Sequence, residues 1–401
     1  MIVSNFNVFE LKSSKNDILD NMKDAEVILS KTINEPMCSL GFHTFMHRTK
    51  TNLIMSIKAV KSDNEFYYVI NPWESKITNY EDTLEVASKV YLKANNSNNE
   101  FYKFWEMLTV FNMIDLEKKS FDSVCIGSHI EQLKLCCEKY KQMFSKNPAI
   151  NIKAINIEPS SYNKEYYDKI LDLKSEKADL VLCNGEIKSN NPNYEEQEMY
   201  QMILGEIIMG LSKLDEGGNM IIKINETFTI PTIKLVYIIS SFFKNNYIYK
   251  PFYSRPTSAE KYLVCKGFNK SKNMADKIDS LTKIYKSINN NKFVFDIYPN
   301  MEIPKSYVDN FRFINIKFSN TLQIVSNDIM VYIKDNNYFG EKYHESREQQ
   351  IQATQFWTQL FYPPSVNQFN ISKETIKKIL KNTEEKYKTE QENLFSNLVF
   401  N

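Results

Sequence analysis

GGNMIIKINETFTIPTIKLVYIISSFFKNNYIYKPFYSRPTSAEKYLVCKGF, residues 217–268, is the stretch on which the reading of this chain turns. Paired glycines lead into an apolar run that ends in Lys223, the pattern of a tight turn feeding a buried strand. IPTIKLVYIISSFFKN follows as a helix with proline near its start, and NYIYKPFYSRPTSAEKYLVCKGF reads as two strands around a turn. A lysine at the end of so hydrophobic a strand is unusual. It marks either a site or a side chain snorkelling from a sheet edge.

Upstream, short β runs alternate with longer helical ones: FDSVCIG, EQLKLCCEKYKQMFS, AINIKAINIE, ADLVLCN and YEEQEMYQMILGEIIMGLSKL. That alternation predicts an α/β doubly wound sheet over residues 121–270. Seven of the nine glycines lie between 127 and 267, where strand-to-helix turns need them. Residues 1–120 read as mainly helical, with helices over 17–33 and 81–94, a loop or cap at 95–100, and a third helix, FYKFWEMLTVFNMI, over 101–114. Residues 271–401 read as an α+β extension. It carries two β-like stretches, FRFINIKFS and TLQIVSNDIMVYIKD, and a terminal lysine-rich amphipathic helix over the last 30 residues.

The charge balance, 50 Lys+Arg against 49 Asp+Glu, gives no global field to draw in nucleic acid, so an RNA partner has to be held by a local patch. The six cysteines form no CxxC pair, and the four histidines offer no zinc site by spacing, so no metal is expected. Cys125, Cys183 and Cys265 sit in apolar strand-like runs, which predicts buried free thiols in a reducing, cytoplasmic setting. The opening residues lack a basic segment followed by an apolar core, and the longest apolar stretches fall far short of about 18 residues. Neither secretion nor a membrane span is expected.

A doubly wound sheet binds its ligand at the carboxyl ends of its strands. Those ends bring forward Gly127 to His129, Asn184 to Glu186, Lys223 with Asn225, and Glu260 just before the last strand. Taken alone, Lys103 reads as a solvated helix lysine, and Trp73, Trp105 and Trp357 read as core or interface anchors.

The glycine pair, the strand ending in Lys223 and the Lys-Pro, Ser-Arg-Pro, Ser-x-Glu and Tyr-Leu-Val series resemble the FtsJ-like ribose 2'-O-methyltransferase family, most closely its adrift-type, cap-specific branch. FYKFWEMLTVFNMI before FDSVCIG is similar to that family's helix with an essential lysine, and GFHTFMHRTK more weakly to its histidine-containing N-terminal segment. The resemblance implies a Rossmann-like methyltransferase fold and a Lys-Asp-Lys-Glu tetrad at Lys103, position 184, Lys223 and Glu260. Lys223 would be the base, its pKa lowered by burial and by a second cation, with Lys103 and Glu260 tuning and positioning it. The implied donor, S-adenosylmethionine, would meet Gly127, Ser128, Glu158 and position 184. Arg255 and Ser254 would meet RNA.

Two departures alter that expectation. Asn184 stands where the family has Asp, and losing one preorganised charge of this kind costs roughly a hundredfold to a thousandfold in rate. CIGSHIEQL replaces the family's glycine-rich donor loop, leaving Gly127 alone and putting side chains at Ser128, His129 and Ile130 where bare backbone is needed. The expectation is a viral methyltransferase-like protein with catalysis lost or weakened. It would act as an RNA-binding or architectural subunit in mRNA capping, processing or transcription, bound to capped mRNA and a protein partner. The alternative is an active cap 2'-O-methyltransferase using Lys103, Lys223 and Glu260.

Overall fold

The structure, a computed structural model, describes residues 7–11, 22, 25–59, 92–94, 97–156, 177–187, 189, 191–270, 273–289, 292–335 and 341–362. Expectations for Trp73, Glu158, the 81–91 part of the second helix and the last 30 residues lie outside them.

Four strands form the parallel heart of the sheet: β3 (Phe121–Gly127), β4 (Ile150–Asn156), β5 (Ala178–Asn184) and β6 (Leu214–Ile224). FDSVCIG and ADLVLCN are buried almost throughout, as strands covered on both faces must be. β8 (Lys261–Phe268) runs antiparallel to β6, β7 (Phe243–Lys250) antiparallel to β8, and β1 (Asn7–Glu10) antiparallel to β7. The order across the seven strands is β1-β7-β8-β6-β5-β3-β4, the doubly wound α/β sheet read from the sequence.

Each face buries its own core. One lies under α4 (Tyr200–Lys213), α5 (Ile230–Ser241) and α6 (Met274–Ser287). The other lies under α2 (Asn99–Phe111), α3 (Ile130–Phe144) and α8 (Glu341–Phe361), with Trp105 and Trp357 fully buried in it. Asn98 caps α2 by accepting from the N–H groups of Glu100 and Phe101, so the helix starts where the 95–100 loop was expected to end. α5 opens on Pro231, and the carboxylate of Glu196 accepts the N–H groups of Phe228 and Thr229 at its entry.

Two sequence expectations fail. Residues 27–30 are not helix but β2 (Val27–Ser30), paired with β9 (Phe293–Ile297); three successive aliphatics at VIL suit a pleated surface once a partner strand is there. FRFINIKFS and TLQIVSNDIMVYIKD are not strands but one helix, α7 (Lys305–Asp335). Its Val308, Phe311, Ile314, Leu322 and Ile329, separated by one helical turn or two, are buried, Leu322 against Met46 and Ile329 against Leu53 of α1 (Leu40–Ala59). Helical period and tertiary packing outweigh the β propensity of isoleucine and phenylalanine. All six cysteines are buried and free, as expected for Cys125, Cys183 and Cys265.

Candidate active site

Lys103, Lys223 and Glu260 come together at the strand ends. Lys103 is not solvated: it points from α2 into the site, 2.9 Å from both oxygens of Glu260 and 2.7 Å from Glu100 Oε1. The Lys223 Nζ stands 3.9 Å from Glu260 Oε1 on one side and 3.9 Å from Glu186 Oε2 on the other. Glu260 also accepts hydrogen bonds from Ser254 Oγ, at 3.3 Å, and from the Tyr262 hydroxyl. Lys250 holds the turn behind it, its Nζ donating to the carbonyls of Ser258 and Glu260 at 2.7 and 2.9 Å.

The register of α2 against this turn is set by Glu106, one helical turn beyond Lys103. Its buried carboxylate accepts from Trp357 Nε1 at 2.7 Å, from Phe252 and Tyr253 N–H at 2.6 and 3.2 Å, and from the Tyr249 hydroxyl. Glu100, Lys103 and Glu106 thus present one helix face, at i, i+3 and i+6, to the Ser-Arg-Pro turn. Arg255 is exposed on that turn, whereas Ser254 is turned inward onto Glu260.

The electrostatics differ from the expectation for Lys223. Burial alone would lower its pKa, but Glu260, Glu100, Glu186 and Glu206 together outweigh burial and hold it above the ordinary lysine value. The lysine therefore rests protonated, and the lowered pKa expected of a resident base is corrected. Burial likewise opposes ionisation of Glu260, but Lys103 and Lys223 hold its carboxyl well below the usual carboxylate range. Glu206 is the reverse case. Burial pushes it up to about 8, against smaller pulls from Lys223 and the Gly185 peptide.

Beside this cluster the ends of β3 and β5 are tied together. Gly127 has φ +109, and a Cβ there would stand 2.5 Å from the Gly185 nitrogen, so only glycine allows the approach. Ser128 N–H donates to the Asn184 carbonyl at 3.1 Å, and Asn184 Nδ2 returns a bond to the Ser128 carbonyl at 3.2 Å. His129 adopts a left-handed conformation at the start of α3, 3.8 Å from Glu186, while Ile130 turns down into the core. Asn184 Oδ1 is buried without a hydrogen-bond partner. The expected donor residues Gly127, Ser128 and Asn184 are thus adjacent, but bonded to one another. The spacing Glu100/Lys103/Glu106 was readable, although such helix faces are usually solvated; Glu186 carried no signal beyond lying near a strand end, and Glu206, in the middle of α4, carried none.

The seven-stranded sheet has a Rossmann-like methyltransferase fold, and the buried Lys–Glu–Lys cluster lies at its carboxyl edge. Residues 132–268 match the FtsJ-like methyltransferase family. The chain is 35% identical over 119 residues to a cap-specific mRNA (nucleoside-2'-O-)-methyltransferase 1 of Dictyostelium discoideum, which covers 29% of this chain and 16% of that protein. It is 34% identical over 94 residues to the cap-specific mRNA (nucleoside-2'-O-)-methyltransferase of Autographa californica nuclear polyhedrosis virus, covering 23% of this chain and 35% of that one. An uncharacterized protein of Acanthamoeba polyphaga mimivirus is 23% identical over 335 residues, covering 81% of this chain and 80% of its own. Among solved structures, a ribosomal RNA methyltransferase from Plasmodium falciparum aligns with 43% of this chain and 99% of its own, at 20% identity and a TM-score of 0.32. No helix among the described residues is long and apolar enough to cross a membrane.

Proposed function

We propose that this chain holds capped mRNA on a ribose 2'-O-methyltransferase scaffold whose methyl-donor seat is closed, so that it binds without methylating. The observation that carries the reading is the reciprocal pair of hydrogen bonds between Ser128 and Asn184. In a doubly wound sheet that position, between the ends of two adjacent parallel strands, is where a nucleoside cofactor's polar groups would be received. Here the backbone of Ser128 is bonded to both the carbonyl and the side-chain amide of Asn184, and the neighbouring His129 and Glu186 side chains lie 3.8 Å apart. On this reading the Ser128–Asn184 side of the seat does not offer the free polar groups that S-adenosylmethionine would need.

Support for the RNA side comes from the cap-specific relatives and from the retained cluster. Lys103, Lys223 and Glu260 are buried at a desolvation cost that packing does not require, and a buried ion cluster is kept in place of apolar residues at some expense of stability. Arg255, exposed on the turn that carries Ser254 and Glu260, is positioned to meet a phosphate. The unpartnered Asn184 Oδ1 favours a second reading, an active enzyme in which a ligand group completes that acceptor. Incubation with radiolabelled S-adenosylmethionine and a short capped RNA, with fluorescence anisotropy on the same RNA, separates the two. The first reading expects salt-sensitive binding, weakened by R255A, and no label in RNA. Label incorporated into the first ribose, and lost in K223M, establishes the second. Absence of RNA binding rejects both.

A further inference from the structure

We propose that His43, His47 and Glu226 form a binding site for a first-row divalent cation, zinc foremost. The histidine spacing offered no zinc site because the third donor lies 179 residues from His47 in the sequence. Folding supplies it. His43 and His47 are one turn apart on one face of α1, their ring centroids 3.9 Å apart, and Glu226 arrives from the loop after β6 with Oε2 2.7 Å from His47 Nε2. One donor atom from each of the three lies within 4.8 Å of the others, the compactness a single ion requires.

The donor chemistry is specific. Two imidazoles at i and i+4 on a helix with one carboxylate is a nitrogen-rich, three-ligand set that suits zinc and leaves a fourth position for water or another ligand. The surroundings fix the donors in place. The His43 ring stands edge-on to Phe228 at 5.0 Å, and Lys50 holds the second Glu226 oxygen at 2.5 Å while reaching the Pro192 carbonyl at 3.4 Å. Each Glu226 oxygen thus has its own partner, so a cation on Oε2 shares the carboxylate with Lys50 and does not compete with it for one atom. Such partners orient a ligand, as outer-shell contacts do in metal sites generally. Both histidines keep enough exposure for an ion to enter, whereas Glu226 is buried. The site would staple α1 to the end of β6, three residues beyond Lys223. It stands independently of any reading of the Lys–Glu cluster.

The test is equilibrium dialysis of the full chain against micromolar Zn2+ after EDTA treatment, followed by metal analysis, with the visible spectrum of the Co2+ form as a second readout. The expected result is one equivalent per chain with a tetrahedral cobalt spectrum, both lost in H43A and H47A and both kept in H129A and H344A. Should H47A fail to fold, H43A, whose side chain is only partly buried, carries the same comparison. Thermal melting of the unmutated chain gives a further measure, with zinc expected to raise the midpoint over EDTA. No zinc taken up at ten micromolar free metal, an unchanged midpoint, or uptake equal in H43A and the parent would overturn the proposal.

Discussion

At the scale of single residues, Glu260 is the pivot: two ammonium groups, a serine hydroxyl and a tyrosine hydroxyl converge on one buried carboxylate. Removing its charge leaves Lys103 with Glu100 alone and Lys223 with only Glu186 at 3.9 Å, so E260Q is expected to lower unfolding free energy by about 3 kcal/mol in urea titration. Glu206 gives a pH prediction of the opposite kind. Its carboxyl titrates at about 8 in the fold against an ordinary value of 4.5, so between those values the folded chain keeps a proton that the unfolded chain releases. Its contribution is fully present below pH 4.5 and is lost as pH rises toward 8. E206Q, which cannot ionise, should therefore gain stability relative to the parent between urea titrations at pH 5 and pH 9; an unchanged difference would show that Glu206 does not titrate in this window. Lys103, Lys223 and Glu260 were legible because three separate motifs carried them. The protonated state of Lys223 was not, since it depends on four carboxylates from four different segments of chain.

At the scale of elements, α2 works as a wedge whose polar edge faces the site and whose apolar faces fill one core. Glu106 ties it to the turn after β7 and to Trp357 of α8. W357A removes a fully buried ring and the Nε1 donor together, and is expected to cost about 3–5 kcal/mol. W357F keeps most of the ring and isolates the loss of the donor; it should cost less, and equal losses in chemical denaturation would mean that the hydrogen bond dominates. The parallel strands and the helices between them were readable because each carries a single strong period. α7 was not. Its isoleucines, valines and phenylalanines favour strands locally, and the three- and four-residue steps that settle the matter emerge only over its 31 residues, packed against α1. β2 failed for a related reason: four residues of strand are specified by their partner β9, 263 to 270 positions away, more than by themselves.

At the scale of the molecule, described segments from both flanks of the α/β unit pack onto it. β1 extends its edge, β2 pairs with β9, and α1 lies along α7, so segments that read as flanking extensions are joined to the α/β unit. The sheet's parallel heart was legible from the alternating β and α patterns and the glycine turns, whereas its edge strand β1 falls in the region read as mainly helical and is specified by its partner β7. The proposed closure of the donor seat was legible only as a replaced loop; the Ser128–Asn184 pair on which the proposal rests joins residues 56 apart and needed the fold. That closure is what distinguishes a methyltransferase scaffold from a methyltransferase. Isothermal titration of the full chain with S-adenosylhomocysteine tests it without depending on any RNA. No saturable heat is predicted up to about 1 mM ligand, where binding free energy would be only about −4 kcal/mol. A one-site isotherm at micromolar ligand would contradict the account.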